Sequence, residues 1–472
     1  MTRSLDCGPA NGEKRRSMSP AKILMDFTKF SNIVNGEARG GNAFYQGIDP
    51  TTRQKLWDVP VATHQDVDDA VQAAQEAFKS WSTTPIAKRK EICAKFGQLY
   101  QSHIQDFDFL IRKEFGLDLP EERIEDDQRV MITQYVPMGV VAAICPWNFP
   151  VGLALGKIAP ALVSGNCVIA KPSPFTPYGL LKLVELAQQV FPPGVLQVLG
   201  GDDSLGPWLT EHPGIQKISF TGSTATGKKV MQACSRTLKR LTLELGGNDA
   251  SIICPDVDIA KVAPRVTDGA FRNSGQVCTA TKRIYVHESI YPDFVAAMVK
   301  HAQTLKVGSS DLDDDVKLGP VQNEMQYLKV RDYFDDCLQN GFRFATGGLV
   351  KDSRGYFISP TIVDNPPADS RIVQEEQFGP IVPVLPWSDE EDVIHEANNS
   401  NTGLAACVWS SDIDRATRIA SRIEAGSVFI NSAESITPKA VFSGHKESGL
   451  GGEWGKTGLL GFCNVKVTHI FK

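Results

Sequence analysis

Hydrophobic and polar positions follow two different periods along the chain, and the period changes well before its middle. Between residues 66 and 117, apolar side chains recur three and four positions apart, the spacing of one helix face. The clearest run consists of Val67, Ala70, Val71, Ala74 and Phe78. This pattern predicts a first helix capped by Asp66, a second over residues 86–101 and a third over residues 104–115.

From residue 139 onward, short β-branched runs alternate with helical ones. The predicted strands are residues 140–144, 168–171, 195–199, 217–221, 241–245, 251–253, 283–287, 405–410 and 428–431. The predicted helices are residues 178–190, 204–211, 228–237, 291–305 and 413–424. Such alternation with short connections is typical of parallel sheets covered by helices, so we expect an α/β protein with two successive domains. Ligands of such sheets bind beyond the carboxyl ends of the strands.

Composition and charge narrow the class of protein. With 472 residues, of which 42% are hydrophobic, the chain is long enough for two or three globular domains. A net charge of −6 argues against nucleic acid as a partner, because phosphate binding needs a basic surface. No apolar run approaches the ~20 residues that span a bilayer, so we expect no membrane partner. Residues 1–25 are polar without an apolar signal core, which predicts a disordered tail on a cytoplasmic protein.

The ten cysteines are scattered and form no metal-binding pattern. None belongs to a CxxC pair and none lies beside histidine at ligand spacing, so we expect no metal site. Buried thiols in a reducing compartment account for nine of them. Cys278 is the candidate exception, because small residues surround it in the run 273–280. A cysteine thioester is still easily hydrolysed, which suits a nucleophile that attacks a carbonyl.

Three further motifs follow apolar strands. At Gly222 and Ser223, a strand runs into a Ser/Thr cluster that opens a helix, an arrangement that binds phosphate but that any strand–helix turn also needs. Glu244 lies within an apolar strand, where burial would turn it into a base near neutral pH, although a strand end exposed to solvent is the alternative. Asn148, between two prolines, offers an amide to an oxyanion or belongs to a rigid buried loop.

Together these motifs resemble the aldehyde dehydrogenase superfamily in identity, order and spacing. The matching segments are residues 146–150, 171–173, 220–227, 244–247, 275–278, 375–380 and 446–451. The 34 residues from Glu244 to Cys278 resemble the family's interval, and the resemblance covers residues 44–472. Residues 171–177 and 244–250 look most like a fungal branch of the family.

The resemblance implies a fold of two Rossmann-like parallel-sheet domains and a small oligomerisation arm. On this expectation, the dinucleotide-binding domain spans residues 26–246 and is interrupted by the arm at residues 119–137. The catalytic domain spans residues 247–447, and residues 463–472 form an oligomerisation strand. The implied assembly is a homodimer or homotetramer.

The resemblance also implies the roles of individual residues. Cys278 attacks a small-molecule aldehyde, Asn148 and the Cys278 N–H hold the oxyanion, and Glu244 activates the hydrolytic water. Lys157 matches a lysine that the family keeps near the catalytic pocket. The cofactor is NAD, with NADP possible, and its implied contacts are Trp147, Lys171, Ser173, Gly222, Ser223, Glu376 and Phe378.

Several departures from the family pattern bear on function. Pro174 stands where NAD-preferring relatives often carry a glutamate that binds the ribose, so NADP use is open. A long helix that lines the substrate entrance in relatives is missing after Phe115, and Gly156 replaces a bulky aromatic, which predicts a roomy pocket. The missing helix leaves a catalytically impaired binding or structural subunit as the alternative. An acylating enzyme that uses coenzyme A is a second rival, which Glu244 weighs against.

Overall fold

The computed structural model describes residues 26, 28–102, 121–309, 313–350, 353–433 and 435–472. The strands are β1 (Asn32–Val34), β2 (Glu37–Arg39), β3 (Phe44–Ile48), β4 (Lys55–Pro60), β5 (Glu121–Glu125), β6 (Arg129–Pro137), β7 (Val140–Ile144), β8 (Cys167–Lys171), β9 (Leu196–Val198), β10 (Lys217–Thr221), β11 (Arg240–Glu244), β12 (Asp249–Ile253), β13 (Thr281–His287), β14 (Arg343–Thr346), β15 (Thr361–Asp364), β16 (Ile381–Trp387), β17 (Thr402–Gly403), β18 (Ala405–Trp409), β19 (Ser427–Ile430), β20 (His445–Lys446), β21 (Gly449–Leu450) and β22 (Cys463–Phe471). The helices are α1 (His64–Trp81), α2 (Ile86–Ser102), α3 (Pro150–Val163), α4 (Tyr178–Ala187), α5 (Leu205–Glu211), α6 (Thr224–Ser235), α7 (Ile259–Phe271), α8 (Tyr291–Ala302), α9 (Glu324–Gln339), α10 (Arg371–Gln374), α11 (Glu390–Asn398), α12 (Ile413–Ala420) and α13 (Gly455–Leu460). Within these ranges, no helix has the length and apolar character needed to cross a membrane.

The first sheet has eight strands in the order β2-β1-β9-β8-β7-β10-β11-β21. Its five central strands are parallel, and every residue of β7, β8 and β10 is buried. Continuous apolar runs are expected for parallel strands that are covered on both faces. Strand order reverses between β7 and β10, and ligands of open α/β sheets bind at such a point.

The second sheet has seven strands in the order β14-β15-β16-β13-β12-β18-β19. All of its pairings are parallel except that of the edge strand β14. Two buried apolar clusters pack against this sheet, and a third, separate cluster packs against the first sheet. The α/β class with parallel sheets that was expected from the alternating pattern is therefore confirmed.

The end of the chain returns to the first half of the molecule. Strand β21 pairs with β11, and Leu459 and Phe462 join the apolar cluster of the first sheet. The terminal strand β22 then pairs antiparallel with β6, from Cys463 opposite Pro137 to Phe471 opposite Arg129, and β5 completes a third, three-stranded sheet. The predicted division of the chain into domains stays a prediction. The contacts of the returning segment 449–462 place it with the first of the predicted domains.

Two helix starts differ from the sequence-based expectation. Asp66 does not cap α1: the N-cap is Thr63, whose side chain accepts a hydrogen bond from the Asp66 N–H, while the Asp66 carboxylate accepts one from the Thr63 N–H. This reciprocal capping box places the carboxylate in the first turn. Helix α6 begins at Thr224, earlier than predicted, because Ser223 caps it. The predicted tail at residues 1–25, the helix at 104–115 and the break after Phe115 lie outside the described residues.

Candidate active site

A cleft of about 650 Å³ lies beyond the carboxyl ends of β7, β8, β10 and β11. Because these strands are parallel neighbours, the polar residues that follow each of them meet at one edge of the sheet. Nine of the eleven site residues predicted from sequence line this cleft: Asn148, Trp147, Lys171, Ser173, Gly222, Ser223, Cys278, Glu376 and Phe378. The other two, Glu244 and Lys157, are buried in the protein behind it.

Cys278 is distinguished from the other cysteines by its exposure. Among the nine cysteines in the described ranges, eight are buried and Cys278 is partly exposed. Asn273, Ser274 and Gly275 precede it with positive φ angles, and a β-carbon on Gly275 would lie 2.1 Å from the Gly379 carbonyl oxygen. This tight turn leads into the loop that carries the thiol. Loss of water around the thiol raises its pKa to about 12, so the neutral thiol predominates without cofactor or substrate.

Asn148 is held against the loop that carries the thiol. Its side-chain amide donates a hydrogen bond to the Gln276 carbonyl oxygen at 3.1 Å, two residues before Cys278. Pro150, the first residue of α3, fixes the chain direction just after it. An amide nitrogen carries two hydrogens, so the second is left for a developing oxyanion.

Glu244 and Lys157 belong to a buried charged cluster behind the cleft. Neither carboxylate oxygen of Glu244 has a hydrogen-bond partner in the described part of the chain. Burial, and then the negative charge of Glu453, raise the pKa of Glu244 well above its usual range, while Lys157 acts in the opposite direction. Lys157 is fully buried, donates to the Thr221 hydroxyl at 2.6 Å and forms an ion pair with Glu453.

The middle of the cleft suits a pyrophosphate group. Gly222 follows the last residue of β10, and a β-carbon on it would lie 2.5 Å from the Phe220 ring, so a side chain has no room. Ser223 then caps α6 by accepting a hydrogen bond from the Thr226 N–H. The free N–H groups of this helix start attract an anion that approaches along the bare glycine.

Opposite charges line the end of the cleft beyond β8. Lys171 is buried, and its ammonium donates to the Pro172 carbonyl oxygen at 3.3 Å. Burial lowers the pKa of Lys171, and the negative charge of Asp203 acts against this effect. Pro174, Asp203 and Lys229 line the same cleft. This end therefore offers both an acidic and a basic group to a ribose or to a phosphate on it.

At the other end, Glu376 and Phe378 lie close to Cys278. The rings of Trp147 and Phe378 meet edge to face with centroids 5.3 Å apart. The Glu376 carboxylate accepts a hydrogen bond from the Gly247 N–H at 3.2 Å and lies 3.4 Å from the Lys282 ammonium. An aromatic wall and a fixed carboxylate are suited to a nicotinamide and its ribose.

Sequence reasoning missed three charged residues of this region. Lys282 lies at the start of the buried strand β13, Glu453 pairs with Lys157, and Asp203 lines the cleft. A charge inside an apolar strand was the available signal for Lys282, because buried charges need partners. Glu453 lies in a glycine-rich turn that carries no such signal.

The roomy pocket predicted beside Gly156 is wrong. A β-carbon on Gly156 would lie 2.6 Å from the indole nitrogen of Trp454, which also stacks obliquely on Phe442 with ring centroids 5.5 Å apart. An aromatic ring from another part of the chain therefore occupies the space that Gly156 leaves.

Comparisons with known proteins agree on one family. The model of the aldehyde dehydrogenase family matches residues 37–130 and 117–468. A putative aldehyde dehydrogenase, FUS7, from Gibberella fujikuroi is 47% identical over 470 residues, which cover 95% of this chain and 100% of that one. The crystal structure of a mutant aldehyde dehydrogenase C from Pseudomonas syringae, complexed with NAD+ and octanal, matches with a TM-score of 0.89 at 29% identity and covers 95% and 98% of the two chains. An NADP-dependent enzyme from E. coli matches with a TM-score of 0.90 at 32% identity and covers 94% and 99%.

Proposed function

The chain belongs to the aldehyde dehydrogenase family, whose members oxidise aldehydes with NAD(P), and we propose that Cys278 is the nucleophile of this reaction. The observation that carries the proposal is the position of Cys278. It is the partly exposed cysteine among those described, and it lines the same cleft as Asn148 and Glu376.

The first step forms a bond between the Cys278 sulfur and the carbonyl carbon of the aldehyde. The carbonyl oxygen gains negative charge as this thiohemiacetal forms, and the Asn148 amide, held beside the loop by Gln276, stabilises it together with the Cys278 N–H. Since the thiol is neutral at rest, its proton has to pass to solvent water as the carbon–sulfur bond forms.

When bound in this cleft, NAD would supply the hydride acceptor for oxidation of the thiohemiacetal to a thioester. The residues present fit this cofactor from end to end of the cleft. Gly222 and the start of α6 would accommodate the pyrophosphate, and Lys171 and Ser173, which line the same cleft, would contact the adenosine ribose. Glu376 would hold the nicotinamide ribose, with Trp147 and Phe378 beside the ring. The E. coli relative uses NADP, and the mixed charges near Pro174 support use of both cofactors by this chain.

Glu244 completes the reaction by removing a proton from water. The water oxygen bonds to the acyl carbon and the carbon–sulfur bond breaks. The leaving Cys278 thiolate takes the proton that Glu244 holds, and the acid product releases its own proton to solvent as the carboxylate. A carboxyl whose pKa is raised by burial and by Glu453 is a stronger base than an exposed glutamate. Lys157 forms an ion pair with Glu453 in this buried cluster.

Neither rival reading is favoured. The family and structural matches support an active enzyme rather than an impaired binding subunit. A retained water-activating carboxyl at Glu244 supports hydrolysis of the thioester rather than its transfer to coenzyme A.

We further propose a cytoplasmic homodimer or homotetramer. The nine described cysteines are free thiols, which suits a reducing compartment. The outer strand β22 exposes Val465, Val467 and Phe471 along the third sheet, and an exposed apolar strand gains from pairing with another subunit.

The direct test is to trap the acyl-enzyme. The purified chain is incubated with NAD and a panel of aldehydes that includes octanal, then quenched with acid and digested for mass spectrometry. We expect the acyl mass on the peptide that carries Cys278, with more of it in the Glu244→Gln variant. Aldehyde oxidation without acylation of this peptide in either protein would refute the proposal.

A further inference from the structure

Lys282 contacts both the loop that carries Cys278 and the carboxylate of Glu376, although the reaction proposed above gives it no role. Its side chain is only 3% exposed, at the amino end of β13 and four residues after the nucleophile. The ammonium donates to the carbonyl oxygens of Cys278 at 2.6 Å, Val277 at 2.9 Å and Ala280 at 3.4 Å. These three carbonyls belong to the loop that holds the thiol.

The same ammonium reaches the cofactor end of the cleft. Its nitrogen lies 3.4 Å from a carboxylate oxygen of Glu376 and 5.9 Å from the centre of the Phe378 ring. Glu376 has a second anchor in the Gly247 N–H. One buried cation therefore joins the backbone of the nucleophile loop to the carboxylate proposed to bind the nicotinamide ribose.

We propose that Lys282 is a positioning residue that ties the nucleophile loop to Glu376 and supplies the positive charge that favours the Cys278 thiolate. The inference rests on the proposed role of Cys278. An ammonium has three donors in a compact head, so it can satisfy several converging carbonyls and a carboxylate together. A methionine of similar length would fill the space but leave these acceptors without a donor.

The charges around the thiol support this assignment. The positive charge of Lys282 is the main influence that lowers the pKa of Cys278 against the effect of burial. Acidic groups on three other segments act in the opposite direction when ionised: Asp249 on β12, Glu376 before β16 and Glu244 on β11. Arg283 is turned away, since its guanidinium donates to the carbonyls of Asn248, Glu396 and Ala397.

Asp249 is the opposing charge that makes the inference testable in both directions. It is 4% exposed, and burial raises its pKa to about 7, with Lys282 as the main influence that lowers it. Its carboxylate oxygen and the Cys278 carbonyl oxygen lie 2.5 and 2.9 Å from the position a β-carbon on Gly247 would take. Removing the charge of Asp249 should therefore act on the thiol with the opposite sign to removing that of Lys282.

The experiment measures alkylation of Cys278 by iodoacetamide against pH in the full-length protein without cofactor, followed on the peptide that carries Cys278. In Lys282→Met we expect the profile to move to higher pH, with alkylation about threefold to tenfold slower at a fixed pH below the thiol's pKa. The KM for NAD should also rise, because Glu376 loses an anchor. Lys282→Arg should restore both, and Asp249→Asn should move the profile to lower pH.

Lys239 provides the matched control. It is a buried lysine that donates to the carbonyls of His212 at 2.7 Å and Ile215 at 2.9 Å, away from the cleft. Lys239→Met should lower the melting temperature and leave the alkylation profile unchanged. A wild-type profile in Lys282→Met, or an equal shift in Lys239→Met, would overturn the inference.

Two outcomes separate this inference from the proposed function. If Lys282→Met does not fold, the opposite shift in Asp249→Asn decides, and an unchanged or upward shift there refutes it. Alkylation needs no aldehyde, so the shift can hold even if Cys278→Ser retains activity. In that event Cys278 is not the nucleophile, but the effect of Lys282 on the Cys278 thiol is still supported.

Discussion

At Cys278, burial and the positive charge of Lys282 act on the pKa of the thiol in opposite directions. Burial raises the pKa of the thiol to about 12, while Lys282 lowers it. Opposing effects also act on Glu244: burial and Glu453 raise its pKa, and Lys157 lowers it. Both groups therefore start from their neutral forms more readily than exposed side chains do, and each needs a specific neighbour to become reactive.

Replacement of the nucleophile should abolish activity without loss of the fold. In Cys278→Ser the side chain keeps nearly the same size, but a serine hydroxyl without an adjacent base is a poor nucleophile. We expect NADH formation to vanish while the melting temperature stays close to that of the wild type. Cys337→Ala, which changes a buried thiol on α9, should retain activity. Residual turnover of Cys278→Ser within about tenfold of wild type would argue against the assignment.

Replacement of the base should separate the two halves of the reaction. Glu244→Gln should retain the first burst of NADH but slow steady turnover by roughly 10²–10⁴-fold, because water activation is lost. Glu244 acts only when ionised, so wild-type turnover should fall as pH drops through its raised pKa, and this limb should disappear in the variant. Stopped-flow and steady-state rates against pH provide the measurement. Loss of the burst with normal hydrolysis would assign Glu244 a different role.

Cofactor choice should respond to Pro174. A proline neither bonds the ribose hydroxyls nor repels a 2′-phosphate, and Lys171 lies in the same cleft. We expect NAD to be preferred over NADP by about tenfold or less in kcat/KM. Pro174→Glu should raise this ratio, mainly through weaker NADP binding. A wild-type preference above about a thousandfold would contradict this reading and would direct attention to Asp203, which Asp203→Asn tests.

Helix α3 packs against the segment just before α13, which is distant in sequence. Its Gly156 touches the Trp454 indole, and its next residue, Lys157, pairs with Glu453, the neighbour of Trp454. Trp454 itself has a φ of 62° at the start of α13. Such a backbone angle is costly for a bulky residue, so the packing of its ring and the adjacent ion pair have to hold it in place.

The contact between Gly156 and Trp454 predicts that the effect of Gly156→Ala on the free energy of unfolding changes sign when Trp454 is replaced. Alanine normally stabilises a helix interior over glycine by about 1 kcal/mol, but Gly156→Ala should destabilise by about 1–3 kcal/mol because the added methyl group would overlap the Trp454 indole. In a Trp454→Leu background the same change should become stabilising. Gly206, on α5 with nothing within 4 Å of an added β-carbon, is the control position. Urea unfolding measures these values, and equal effects in both backgrounds would disprove the contact.

In the whole molecule, strands from the end of the chain pair with strands of the first half. The last strands β21 and β22 return to β11 and β6, so the first sheet and the third sheet both need the carboxyl-terminal segment. The site also combines distant parts of the chain, because residues after β7, β8, β10 and β11 line the cofactor cleft while the loop before β13 supplies the thiol. Folding of both halves is therefore needed before the site exists.

Assembly should depend on the exposed face of β22. Val467 is 46% exposed and Phe471 72% exposed on this strand, and we expect a homodimer or homotetramer at micromolar concentration. Val467→Asp combined with Phe471→Asp should shift the mass toward smaller species, since charges on both chains would be brought together. Lys466→Ala, on the opposite face of the strand, should not. Light scattering measures the mass, and a monomeric wild-type protein would contradict the prediction.

Local sequence by itself determined most of the central strands and singled out the candidate nucleophile. A continuous apolar run such as Val140–Ile144 became a buried parallel strand, because such strands bury both faces whatever their neighbours are. Polar residues after those strands met in one cleft, because parallel strands end at a common edge. Cys278 stood out by its small neighbours and is the partly exposed thiol in the described ranges.

Only the tertiary structure decided which charges and rings meet. Lys157 and Glu453 are 296 positions apart, and no local pattern relates them. The same holds for Lys282 with Glu376, and for the indole that fills the space beside Gly156. A sequence period reports which face of an element is buried, whereas a buried charge or a cavity is matched by whatever the fold brings against it.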